Sequence, residues 1–234
     1  MIRSLKKTPL IILLVSFSIS ATSYAQLSLA DHHNIILEKI ILPGAKTSNI
    51  DKEQIVKNII SYASENGYKV RQDLTYQELN VNYIQGSRTC EDFINNIALK
   101  GIISNNVKQY IYSLKNDIEN NMIVYDSSQL SATINMYKSQ SNYKQFSSTD
   151  KQNINLFEEG FQKSFSFWNR NENYSPGVYG RKSTCRCGIG CLICVALIDA
   201  GGLLVPGIGI VLGPVASGIA RCCICGCCNN VGCQ

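Results

Sequence analysis

Between Gly188 and Ala220 the chain runs for 33 residues with a single charged side chain, Asp199. A stretch this apolar must leave water, so it is covered either by lipid or by the rest of its own chain. From Ala200 to Ala220 there are 21 uncharged residues. As one helix they would extend about 32 Å, close to the roughly 30 Å of a bilayer's hydrocarbon. Six glycines and two prolines lie in that span. In a water-exposed helix they would cost about 1 and about 3 kcal/mol each relative to alanine, whereas membrane helices tolerate both. Gly209, Gly213 and Ser217 recur at intervals of four and predict a flat helix-packing face. Two inserted arrangements follow. One is a single span with Asp199 and Arg221 near opposite interfaces. The other is a hairpin whose arms are too short to cross, hence re-entrant or interfacial. The alternative is a soluble segment buried under neighbouring helices.

Cysteines bracket this run. Cys185, Cys187, Cys191 and Cys194 precede or enter it, and Cys222, Cys223, Cys225, Cys227, Cys228 and Cys233 follow it. Such density in an exported chain favours disulfides. Pairing the two clusters would force the run to double back, so cysteine state and topology are coupled. Zinc is the rival, with Cys191, Cys194, Cys225 and Cys227 as four sulfurs, although zinc ribbons normally place a polar loop between their ligand pairs. Cys90 is the one cysteine outside the clusters.

The N-terminus reads as an export signal over residues 1–25. Arg3, Lys6 and Lys7 precede the apolar run Pro9 to Ile19, and Ser23 and Ala25 place small residues before a cut at Gln26. Cleavage lowers the net charge from +5 to +2, which leaves no electrostatic footprint for nucleic acid.

Residues 26–171 read as a helical domain. Ile55, Val56, Ile59, Ile60 and Ala63 share a face after Asp51 and stop before Gly67. Thr75 and Glu78 form a capping-box pattern. Further stripes are Phe93, Ile94, Ile97 and Ala98, closed by Gly101; Val107, Tyr110, Ile111, Leu114 and Ile118 after Ser104; and Leu130, Ile134 and Tyr137. The clearest helix runs from Asp150 to Trp168 on Ile154, Phe157, Phe161, Phe165 and Trp168. Those aromatics form either core or an exposed partner face. Residues 172–187 read as a linker, 188–220 as the apolar glycine-rich, membrane-prone segment, and 221–234 as a cysteine-rich tail. The fold class is therefore mainly α: a small helical bundle, then a glycine-rich apolar helix or helical hairpin bracketed by cysteines.

The signal peptide, the helix end Lys163-Ser-Phe-Ser-Phe-Trp168-Asn and the small-residue run from Asp199-Ala-Gly-Gly202 through Pro206-Gly207 together resemble uncharacterised exported bacterial proteins with bacteriocin-like, glycine-rich C-termini. The cysteine bracket departs from that pattern. The resemblance implies a non-enzymatic, membrane-associated protein, periplasmic or extracellular, that inserts in lipid or self-associates through residues 188–220. Its helical domain would serve as carrier or protein-partner module. The alternative is a soluble, disulfide-rich extracytoplasmic binding or structural protein. An enzyme would have to use Cys90 as nucleophile beside Glu91 or Asp92, activated at a helix start. No histidine lies nearby: His32 and His33 are the two in the chain.

Overall fold

The computed structural model of this chain describes residues 27–44, 51–87, 89–121, 127–140, 142–170 and 189–224. Every regular element among them is helical. The readings of residues 1–25, the linker, Cys185, Cys187 and the tail beyond Ile224 fall outside these residues.

Short polar side chains start the helices. Ser28 and Asp31 make a reciprocal capping box at the head of α1 (Leu29–Ile36), which continues through a π-helical turn, Leu37–Ile41, and a short piece, Leu42–Gly44. Asp51 caps α2 (Lys52–Glu65). Thr75 accepts from the Glu78 amide at the head of α3 (Tyr76–Leu79), 3.1 Å away. The returning half of the expected Thr75/Glu78 box is not made. Glu78 pairs with Arg71 instead, while the Glu53 carboxylate accepts from the Tyr76 and Gln77 amides at 2.8 and 3.2 Å. A full box forms where none was expected, between Thr89 and Asp92 at the head of α4 (Cys90–Leu99). Helices α5 (Asn105–Asn121), α6 (Ser127–Gln140) and α7 (Ser148–Arg170) complete the polar part of the chain. Gly67 and Gly101 end α2 and α4 at φ +81° and +71°, the left-handed conformation that glycine adopts without a Cβ penalty.

The apolar run forms two helices, α8 (Ile189–Leu203) and α9 (Gly209–Ile224). The single long helix is interrupted for a local reason. Pro206 biases the residue before it away from the α conformation, and Gly207 takes φ +76°. The arms have 15 and 16 residues, about 23 Å each. Among the described residues, no helix is long and apolar enough to cross a membrane.

Helix α8 lies at the centre of the assembly, against α1, α4, α5, α7 and α9, while α9 also packs on α1, its π turn and α2. Every residue from Leu192 to Val205, and from Gly209 to Ser217, is buried. Helices on both sides of residues 172–187 contribute to one hydrophobic core. Phe157, Phe161 and Phe165 are fully covered, with neighbouring ring centroids 5.9 and 6.3 Å apart, and Trp168 packs edge-on against Phe167. The aromatic stripe is therefore core, not an exposed partner face.

Candidate functional site

Glycine sets how closely the hairpin is held. A Cβ placed on Gly202 would stand 2.5 Å from the Gly213 Cα, so the two arms touch backbone to backbone. One on Gly160 of α7 would stand 2.9 Å from a Leu203 methyl, and one on Gly201 would stand 2.6 Å from the Ile94 Cδ1. Of the expected packing face, Gly209 lies against the Leu203 carbonyl, and Gly213 lies against the Asp199 carbonyl and the His33 ring. Ser217 is buried, its hydroxyl 3.4 Å from the Pro214 carbonyl. In the folded chain these three small residues serve contacts within one molecule.

The charge in the hairpin is equally enclosed. Asp199 is fully buried, and its Oδ1 lies 2.8 Å from His33 Nε2. Its Oδ2 accepts from the Ser164 hydroxyl and, at 2.7 Å, from the Trp168 indole N–H. One carboxylate thus joins α8 to α1 and to two successive turns of α7. His33 Nδ1 faces the Asn34 Oδ1 at 3.2 Å, and the Asn34 amide nitrogen donates to the Lys163 carbonyl at 3.1 Å. Both ring nitrogens therefore have an oxygen partner. A charged group this deep requires such partners, because an isolated buried carboxylate would cost several kcal/mol.

The presence of Ser, His and Asp does not make this a nucleophile relay. In a relay the imidazole bridges hydroxyl and carboxylate. Here the carboxylate bridges hydroxyl and imidazole, and Ser164, His33 and Asp199 are each at most 1% exposed. The arrangement suits an anchor. Sequence reasoning passed over His33, Ser164 and the indole as a site. The available signal was the lone charge of an apolar run, which must find a partner when buried, in a chain with two histidines.

Cys90 stands at the head of α4, 2% exposed, with its thiol donating to Glu91 at 3.3 Å. The expected lowering of its pKa at a helix start is reversed. The neighbouring Cys194 thiol, then burial, pushes it far above the ordinary thiol range. Such a group is a poor nucleophile. Cys194 is likewise a free, buried thiol, whereas Cys191 is disulfide-bonded. Cys222 and Cys223 fall on α9. Among the described residues, no three His, Cys, Asp or Glu side chains cluster to hold a metal.

A second polar cluster ties α5, α6 and α7 together. Buried Glu158 accepts from the Tyr110 hydroxyl and from Lys138, the latter at 2.6 Å. Burial, then Glu158, pushes the Tyr110 phenol well above its usual range. Beside it lies a shallow surface groove of about 460 Å³ bordered by Gln109, Tyr137 and Phe146.

No family model, curated protein or solved structure matches the chain.

Proposed function

We propose that this is an exported, non-enzymatic helical protein that carries its glycine-rich hairpin sheathed and transfers it to membrane lipid when the sheath opens. The observation that carries this reading is the contrast inside the hairpin. Two apolar stretches, residues 192–205 and 209–217, are buried throughout and fastened to the sheath through a polar anchor, Asp199. Arms of about 23 Å fall short of the roughly 30 Å hydrocarbon. The element therefore enters lipid as a re-entrant hairpin rather than a single span. Once outside the sheath, Gly209, Gly213 and Ser217 are free to pack against a second copy. The bracketing cysteines would staple the ends of the hairpin, with zinc as the lesser alternative. The basic residues Arg181, Lys182, Arg186 and Arg221 flank the run and suit anionic headgroups.

The chain's single tryptophan, Trp168, touches the anchor and therefore reports on it. The test is flotation of the full chain with phosphatidylcholine–phosphatidylglycerol vesicles, followed by tryptophan fluorescence. Asp199→Asn weakens the anchor while keeping its shape. It should increase the vesicle-bound fraction over the unaltered chain and shift Trp168 emission to longer wavelength as the indole loses its covered site. Absence of both chains from the vesicle fraction would overturn the membrane reading.

One observation favours a second reading, a soluble extracytoplasmic binding or structural protein with the hairpin as permanent core. The glycines of the hairpin meet matched partners in the sheath, Gly201 against Ile94 and Gly213 against His33. Under that reading both chains stay out of the vesicle fraction, and Asp199→Asn lowers only stability.

A further inference from the structure

We propose that Cys90 and Cys194 are an oxidisable pair whose disulfide staples the hairpin to α4. Both are free thiols, buried, and 104 positions apart in the chain. The register of two helices brings them together. A Cβ on Gly201 would stand 2.6 Å from the Ile94 Cδ1 and 3.6 Å from the Ile97 Cδ1, so α8 and α4 touch there with almost no space between them. Seven residues back along α8, two helical turns or about 10 Å, is Cys194 on the same face. Four and seven residues back from Ile94 and Ile97 is Cys90, on the face of α4 that meets α8. Cys194 is the neighbour that acts most strongly on the Cys90 thiol, which fits a second point of approach of the two helices here.

The chemistry balances with a low-molecular-weight disulfide, such as oxidised glutathione, as oxidant. One cysteine loses its proton and its sulfur attacks the oxidant, forming a mixed disulfide and expelling one thiolate. The second cysteine loses its proton and attacks the mixed disulfide, forming the Cys90–Cys194 bond and expelling a second thiolate. Two protons and two electrons leave the protein, and the oxidant becomes two thiols. Both sulfurs are buried, so closure is slow and the pair persists as thiols until the oxidant gains access. One turn away on the same helix, the disulfide-bonded Cys191 is only partly buried, which fits access as the controlling variable.

The functional consequence, though not the bond, rests on the proposed membrane role: a stapled hairpin cannot leave its sheath. The test treats the full chain with oxidised glutathione, blocks remaining thiols with N-ethylmaleimide, and maps peptides by mass. A peptide joining Cys90 to Cys194, lost in Cys90→Ser and in Cys194→Ser, is the expected result. Alkylation of both thiols, or pairing of Cys90 with another cysteine, would overturn the staple. Dye release from phosphatidylglycerol-containing vesicles is then compared. The oxidised chain should release dye roughly tenfold more slowly than the untreated chain, with no such difference in Cys90→Ser. Equal rates with the bond formed would overturn its restraining role. No release in either state, with the bond formed, keeps the staple and sinks the membrane reading.

Discussion

The sheath and the hairpin both use glycine, for opposite reasons. In the sheath, Gly67 sits at φ +81° with nothing near the place of a Cβ. Its role is conformational, ending α2 in a shape other residues resist. In the hairpin, Gly202 and Gly213 lie within helices, and their missing Cβ atoms let two backbones meet. The polar chemistry divides the same way. Apart from the buried Glu158 cluster, the sheath has caps and ion pairs open to water, such as Lys163 with Asp31 at 2.7 Å and Glu159 at 3.0 Å. The hairpin has a single carboxylate from which water is excluded. Local helix rules therefore govern the sheath, whereas packing across the whole molecule governs the hairpin.

That contrast predicts effects of graded size. The largest belongs to Gly213→Ile. The new side chain meets the Asp199 carbonyl and the His33 ring, where even a bare Cβ would stand 3.0 and 3.1 Å away. Overpacking and loss of the buried pair together should cost about 5 kcal/mol, read by urea unfolding. A loss below about 1 kcal/mol would mean that the arms are not tightly packed. Next is Phe161→Ala, which empties a fully buried site in the sheath and should cost about 3–5 kcal/mol. An unchanged unfolding midpoint would move the stripe back to the surface.

Gly67→Ala should cost about 1 kcal/mol through conformation alone, and Gly67→Asn should recover part of that loss in thermal melts. If asparagine proved no better than alanine, the left-handed turn would not be the cause. The smallest effect is electrostatic and depends on pH. Burial would raise the Asp31 carboxyl, but hydrogen bonds from Lys163 and Ser28 hold it below its ordinary value. Burial likewise opposes Glu159, which Ser28 and Lys163 bring below the usual range. Against burial, hydrogen bonds to Asp31 and Glu159 raise the Lys163 ammonium. The carboxylates contribute stability above about pH 4 and lose it as pH falls through their lowered values. Lys163 contributes below about pH 10 and loses it as pH rises through its raised value. Lys163→Met should therefore lower the melting temperature slightly at neutral pH, and the difference should fade in acid. A difference that grew toward pH 3 would reverse the sign assigned to these carboxyls.

Much of the sheath was legible because its signals are local. The stripes of α2, α4, α5 and α7 follow helical period, and Gly67 and Gly101 stand at the expected stops. The failures are also local, at points where a distant residue competes. Arg71 draws Glu78 away from Thr75, and Glu53 caps α3 from another helix. In the hairpin, period carried little information because every face is apolar.

The sequence by itself determined that the chain is mainly helical and that residues 188–220 must be kept from water, since composition and period alone settle both. It also marked Asp199 as the charge needing a partner. Only the tertiary structure decided that the run breaks into two arms around Pro206 and Gly207, that these arms lie inside the other helices, and that His33, Ser164 and Trp168 close around the carboxylate. The physical reason is separation along the chain. His33 and Asp199 are 166 positions apart, and burial rewards such a contact only after every intervening helix has taken its place.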